Sequence, residues 1–152
     1  MAAARYRLGP GRRVVNRIVR ALLRLGWGPA ATYLLVVPGR RSGALRSTPV
    51  TLVEDDGRRW LVAPYGEVAW VRNLRAAGQA TLSRGRRVEE ISVREIGVDD
   101  AAPVLRMYVR RVPITRAYFD AGPESDLDAF RAEALRHPVF TVTTTPQGTA
   151  GT

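Results

Sequence analysis

Between Thr32 and Ala63 the chain presents three short apolar runs joined by links of hairpin length, and this succession constrains the fold more than any other feature. Thr32-Tyr33-Leu34-Leu35-Val36-Val37 is apolar without alternation, as a strand covered on both faces would be. Thr48 to Val53 reads as a second strand. Asp55-Asp56-Gly57 is a turn signal, and Arg59 to Ala63 reads as a third strand paired back as a hairpin. Pro64-Tyr65-Gly66 breaks it.

Glu67 to Ala77 reads as a short helix, with Trp70, Leu74 and Ala77 on one side and Gly78 as its stop. Gln79–Ser83 and Val88–Ile96 read as strands about the Arg84-Gly85-Arg86 turn. Asp99-Asp100 sets two carboxylates in the favourable first turn of a helix running to about Arg111. A loop with Pro113 follows, then a helix from about Ser125 to Arg136 and a last strand from Val139 to Thr143. Residues 1–9 and the Thr/Gly/Pro-rich tail 144–152 are expected to be disordered, which leaves 10–143 as one domain. Short antiparallel strands with helices inserted between them predict an α+β fold, a small barrel.

Charge is unevenly divided. Ten arginines and no acidic residue fall between Met1 and Val53; the remainder holds fourteen arginines against fourteen carboxylates, so the first third carries the whole net charge of +10. Seven of the ten precede Gly26. From Gly11 to Leu25 they alternate with apolar residues at helical spacing: Arg13, Arg17, Arg20 and Arg24 share one face, with Val14, Ile18, Leu22 and Leu25 opposite. Such a helix either covers the barrel with its apolar face or lies on an anionic membrane surface; packing is the commoner arrangement. No apolar run approaches the roughly 20 residues needed to cross a bilayer. An uninterrupted apolar signal segment is also missing, so the expected location is cytoplasmic, at the inner membrane face if the helix binds lipid.

The composition excludes much chemistry. Cysteine is absent, which removes disulfides, thiolate catalysis and Cys-ligated metal, and lysine is absent, which removes Schiff-base catalysis. His137 is the single histidine, so no His-rich metal site can form and no metal is expected. It reads as a helix C-terminal residue whose partial charge suits the dipole. An enzyme built this way needs a bound cofactor for its reactive atoms.

The other three N-terminal arginines, Arg40, Arg41 and Arg46, lie in the link Pro38-Gly39-Arg40-Arg41-Ser42-Gly43-Ala44-Leu45-Arg46. Gly39 and Gly43 permit backbone conformations closed to other residues, so amide N–H groups could face an anion beside the guanidiniums and the Ser42 hydroxyl. By charge alone, a solvated basic hairpin loop, which is common, would be the better explanation of the link.

Taken with the segments Leu61-Val62-Ala63-Pro64-Tyr65-Gly66 and Trp70-Val71-Arg72-Asn73-Leu74, and with Pro49, this link resembles the deazaflavin-dependent nitroreductase family. The resemblance runs from about Tyr33 to Ile96 and more loosely to Phe140. It implies a split β-barrel of the FMN-binding type, mostly antiparallel with flanking helices. The implied cofactor is the deazaflavin coenzyme F-420, strongly anionic through its phosphate and oligoglutamate tail. By position, Arg40, Arg41, Ser42 and Gly43 with Arg46 match the family's phosphate-binding loop, and Ser47, Thr48 and Pro49 continue its wall. Val62, Ala63, Pro64 and Tyr65 match the strand end along the deazaflavin ring. Ala69, Trp70, Val71, Arg72 and Asn73 match the helix start that closes over the coenzyme. Many relatives carry a serine and then a lysine where this chain has Pro64 and Tyr65, and many have a longer Gly-rich loop before the tryptophan.

Tyr118 falls near the family's active-site tyrosine, where its hydroxyl would donate a hydrogen bond to an acceptor. Its structural alternative is a core or rim aromatic beside Phe119. Tyr65, against the ring, is the other catalytic candidate. The implied reaction is hydride transfer to a small, hydrophobic, electron-poor acceptor: a quinone, a nitro compound or an enone. A site without acidic side chains suits that chemistry. Barrels of this type often pair, which implies a homodimer.

Two other readings compete. An FMN oxidoreductase of the same barrel type would use the arginine link for the FMN phosphate. A non-catalytic coenzyme carrier or basic nucleic-acid binder would also use an arginine-rich face. No nucleic acid is expected, because no DNA- or RNA-recognition motif is present and the aromatics are not interleaved with the basic run.

Overall fold

The computed structural model describes residues 32–145. The amphipathic pattern at Gly11–Leu25, with both readings of it, and residues 146–152 lie outside the described residues.

Six strands close an antiparallel barrel in the order β1-β2-β3-β6-β5-β4. They are β1 (Thr32–Pro38), β2 (Leu45–Asp55), β3 (Arg58–Val62), β4 (Gln79–Arg84), β5 (Arg87–Glu95) and β6 (Val139–Thr144). The helices are α1 (Ala69–Ala77), α2 (Val98–Arg111) and α3 (Leu127–Ala134), with a 3-10 turn at Pro113–Tyr118 between the last two. The expected α+β barrel with flanking helices is the observed fold.

Local chemistry explains the elements. Asp56 and Gly57 adopt φ of 50° and 74°, so the two-residue turn between β2 and β3 has the hairpin twist, with Asp55 opposite Arg58. Gly78 ends α1 at φ 68°, its N–H donating to the Leu74 carbonyl at 2.8 Å. The Asp126 side chain caps α3 by accepting from the Ala129 amide at 3.0 Å. β2 begins at Leu45 rather than Thr48, because Leu45 and Arg46 pair with Pro38 and Val37. The segment after Pro113, expected as loop, is the 3-10 turn. Strand β6 includes Thr144, and the Thr145 amide donates to Glu90 O at 2.9 Å, so pairing continues past the expected end at Thr143.

The closed sheet separates two cores. Inside lie Leu35, Val37, Val50, Leu52, Leu61, Leu82, Ile91 and Phe140, with Val71 and Leu74 of α1 plugging one end. Outside, Val53, Trp60, Val62 and Val139 meet Val104, Leu105 and Tyr108 of α2 and Phe130 of α3. Along β3 the alternation sends Trp60 and Val62 outward and Leu61 inward, with both faces covered. Full burial of a residue such as Leu74 contributes about 1.5–3 kcal/mol.

His137 follows α3 as expected, its amide donating to Glu133 O at 2.9 Å, but it is not an exposed cation at a helix end. The ring is buried, and burial holds its pKa below the ordinary histidine value against the pull of the Ala63 carbonyl and the Glu133 carboxylate.

Candidate functional site

A cavity of about 1250 Å³ lies against β2, between the β1–β2 link, α1 and the C-terminal end of α2. Ligand pockets commonly measure about 300–1,000 Å³, so this one has room for a large ligand and a second, smaller one.

The link Gly39–Ala44 is a tight loop. Gly39 N–H donates to Ala44 O and Gly43 N–H to Gly39 O, both at 2.8 Å, while the Ala44 amide donates to Ser42 Oγ at 3.2 Å. Gly43 has φ +72°, which favours glycine, and a Cβ on Gly39 would stand 3.3 Å from both Ala44 O and Ser42 Oγ. The Arg40 amide is bonded to Asn73 Oδ1. Four of the amides expected to face an anion therefore close the loop or tie it to α1, and the loop lines the cavity through Gly39, Arg40, Arg41 and Ser42.

Of the residues singled out from sequence, Arg40, Arg41, Ser42, Arg46, Ser47, Thr48, Pro49, Val62, Pro64, Tyr65, Ala69, Trp70, Arg72 and Asn73 line this one cavity. Gly43, Ala63 and Val71 are not on its wall. Gly43 shapes the loop, and Ala63 and Val71 are fully buried in the core inside the barrel. Tyr118 is also off the wall; its ring stands edge-on to Tyr65, centroids 4.8 Å apart at 82°, so it reaches the cavity through Tyr65.

Arg40, Arg41, Arg46 and Arg72 give the cavity four guanidiniums. Among the described residues no ion pair or hydrogen bond occupies the guanidinium of Arg41, Arg46 or Arg72. One carboxylate, Glu67, does line the wall, contrary to the expected acid-free site. Arg75 pairs with it at 2.9 Å and with Glu95 at 2.7 Å, and hydrogen bonds to Glu95 and Glu67 raise the pKa of Arg75. The cavity therefore favours an anion.

The other end of the cavity was not visible in the sequence. Tyr108 and Val112 at the end of α2, with Ile114 and Thr115 of the 3-10 turn, line it beside Tyr65. Burial pushes the Tyr108 hydroxyl up to about 12, partly offset by its hydrogen bond with Thr115. Thr115 Oγ1 also donates to Val112 O at 3.2 Å, and with its pKa raised Tyr108 stays neutral. Ile114 is 87% exposed, and with Leu45 it gives the cavity mouth an apolar lip. Nothing in the sequence marked Tyr108 or the turn after Pro113 as part of a site.

The family model described as F420H(2)-dependent quinone reductase matches residues 12–125. The chain belongs to that family. It is accordingly an oxidoreductase with F420 as coenzyme. The residues present fit that group: an anion-seeking cluster of arginines borders a wall carrying Trp70 and Tyr65.

Solved structures share the fold at low identity. An F420-H2 dependent reductase, FDR-A, is 21% identical with TM-score 0.54, covering 75% of this chain and 95% of its own. A structure described as a domain-swapped dimer is 19% identical with TM-score 0.55, covering 89% of this chain and 100% of its own. The heme storage protein HutZ from Vibrio cholerae is 10% identical with TM-score 0.56, covering 86% and 90%. Proteins with such different ligands on one barrel mean that these likenesses speak to fold alone. No curated protein matches the sequence.

Proposed function

We propose that this family member uses F420H2 to reduce a small electron-poor aromatic or conjugated acceptor, a quinone first among them. The observation that carries the reading is one cavity with four guanidiniums from the β1–β2 link, β2 and α1, and with Tyr65, Tyr108, Val112 and Ile114 from other elements. When bound, the reduced coenzyme supplies a hydride.

The chain's own residues would divide the remaining work. Arg41, Arg46 and Arg72 bind the anionic portion as charge-assisted hydrogen-bond donors. Arg40, held by Asn73, presents its remaining donors beside them. Trp70 and Tyr65 flank the ring and exclude water, and the apolar lip of Leu45 and Ile114 admits an uncharged acceptor. Holding both partners in one enclosed space supplies orientation, the main lever left to a chain without cysteine or lysine. In this reading the chain works as a homodimer in the cytoplasm.

The test is a fluorescence titration of the purified chain with oxidised F420 beside FMN, followed by anaerobic turnover of F420H2 with menadione, a nitroimidazole and a cyclic enone. Saturable F420 binding and fastest turnover with the quinone are expected. Tighter binding of FMN, or coenzyme binding without turnover of any acceptor, would overturn the reading.

A further inference from the structure

We propose that the buried pair Glu133 and His137 is a positioning lock, holding the Tyr65 and Tyr118 rings where the acceptor must lie. The proposal rests on the reading above that the acceptor sits against this aromatic wall.

The pair lies behind the cavity and joins three segments distant in sequence. Glu133 is 1% exposed and His137 5%. Glu133 Oε1 accepts from the amides of Asp120 at 2.6 Å and Ala121 at 2.7 Å, fixing the chain just after Tyr118. Its Oε2 faces His137 Nε2 at 3.2 Å and Arg136 Nη2 at 3.1 Å. His137 Nδ1 lies 3.2 Å from Ala63 O, immediately before Pro64-Tyr65, and the ring also hydrogen-bonds the backbone of Tyr118. Phe119 stacks on the imidazole, centroids 4.0 Å apart.

The neighbouring backbone reinforces this arrangement. Ala63 N–H donates to Pro138 O at 2.9 Å. Gly66 sits at φ +85°, where an added Cβ would be 3.3 Å from Arg136 O. One imidazole and one carboxylate thus grip both segments whose tyrosines meet edge-on at 4.8 Å.

A buried imidazole–carboxylate contact is a weak device for stability, since apolar residues of equal volume commonly replace even a buried ion pair without loss. Hydrogen bonds to specific amides and carbonyls instead fix position, and displacement of about 1 Å can cost about a hundredfold in rate. The charged groups facing the imidazole are Glu133 and Arg136, with Asp120 held on Arg136 at 2.7 Å.

Two variants separate positioning from bulk packing. His137→Asn keeps a donor near Nδ1 for Ala63 O, whereas His137→Gln reaches toward Glu133 and loses Ala63. In His137→Gln, kcat/KM for menadione should fall about tenfold while the Kd for oxidised F420 stays within about twofold; His137→Asn should recover part of the loss. Unchanged menadione kinetics in folded His137→Gln, or an equal loss of coenzyme affinity, would overturn the lock.

Should neither variant fold, the untagged wild-type chain gives the answer. Its single histidine yields one pair of ring nitrogen signals, from Nδ1 and Nε2, after 15N-histidine labelling. Saturating menadione should move that pair, and an unmoved pair would overturn the proposal. This readout needs no coenzyme, so failure of F420 to bind the wild-type chain would sink the functional reading and leave the lock to be judged on its own.

Discussion

Asn73 Oδ1 accepts two hydrogen bonds from Arg40, one from its amide at 3.1 Å and one from Nη1 at 2.9 Å. A residue matched by resemblance to coenzyme closure thus spends its acceptor on the protein's own loop. The consequence is preorganisation: the Gly39–Ala44 loop is fastened to α1 before any anion arrives. Asn73→Ala should weaken F420 binding about tenfold, since one hydrogen bond of this kind contributes about 0.5–1.5 kcal/mol and loop ordering adds to it. Asn73→Asp keeps the acceptor and places a negative charge in the cavity, so it too should weaken binding, with more loss at low salt than at high salt. A titration in which both variants match wild type would remove the fastening role.

Arg46 stands differently. Its guanidinium has no partner among the described residues, so its removal should leave the fold untouched. Arg46→Ala should raise the Kd for F420 by about ten- to a hundredfold, as one charge-assisted contact contributes about 1.5–3 kcal/mol. Thermal unfolding should show the same midpoint as wild type. Equal coenzyme affinity would contradict the assignment of this end of the cavity to the anionic portion.

The barrel was legible because its turns are written in local chemistry. Asp56-Gly57 has few conformations open to it other than the positive-φ hairpin turn, and Gly78 marks the end of α1. The extent of β2 was not legible. Leu45 and Arg46 are exposed, so no burial pattern announces their pairing with β1. Ala63 and Val71 show the limit of assigning a whole segment to a site. The alternation that points Val62 at the cavity points Ala63 into the barrel, and Val71 faces inward from α1. The hidden carboxylate Glu133 and its link to Ala63 join positions far apart in sequence, which no local pattern carries. Tyr108 was hidden for the opposite reason, because lining a cavity and filling a core look alike at helical spacing.

Tyr65 and Tyr118 now have unequal expectations. Tyr65 lines the cavity, and Tyr118 meets it ring to ring. Tyr118→Phe keeps that contact and should slow turnover by less than about threefold, whereas Tyr118→Ala removes the support and should cost about tenfold in kcat/KM for the acceptor. Neither should alter F420 affinity. Steady-state kinetics with menadione decide it: a loss in Tyr118→Phe as large as in Tyr118→Ala would return the hydroxyl to a direct role.

Acid should loosen the barrel on the side away from the cavity. Glu89 of β5 is gripped by Arg59 of β3 through two hydrogen bonds, at 2.9 and 2.7 Å, and also accepts from the Thr144 hydroxyl of β6. The Arg59 hydrogen bonds, then Thr144, bring the carboxyl from 4.5 to about 2, against the opposing effect of partial burial. A carboxyl lowered on folding stabilises fully above its unfolded value and loses that contribution as pH falls toward its folded value. The window here is therefore from about pH 4.5 down to about pH 2. The pair is partly exposed, so after screening its contribution is on the order of 1 kcal/mol. Chemical denaturation of wild type and Glu89→Gln should differ by about that amount at pH 7 and converge by about pH 2. A difference that persists unchanged at acid pH would show that Glu89 acts through packing and not through its charge.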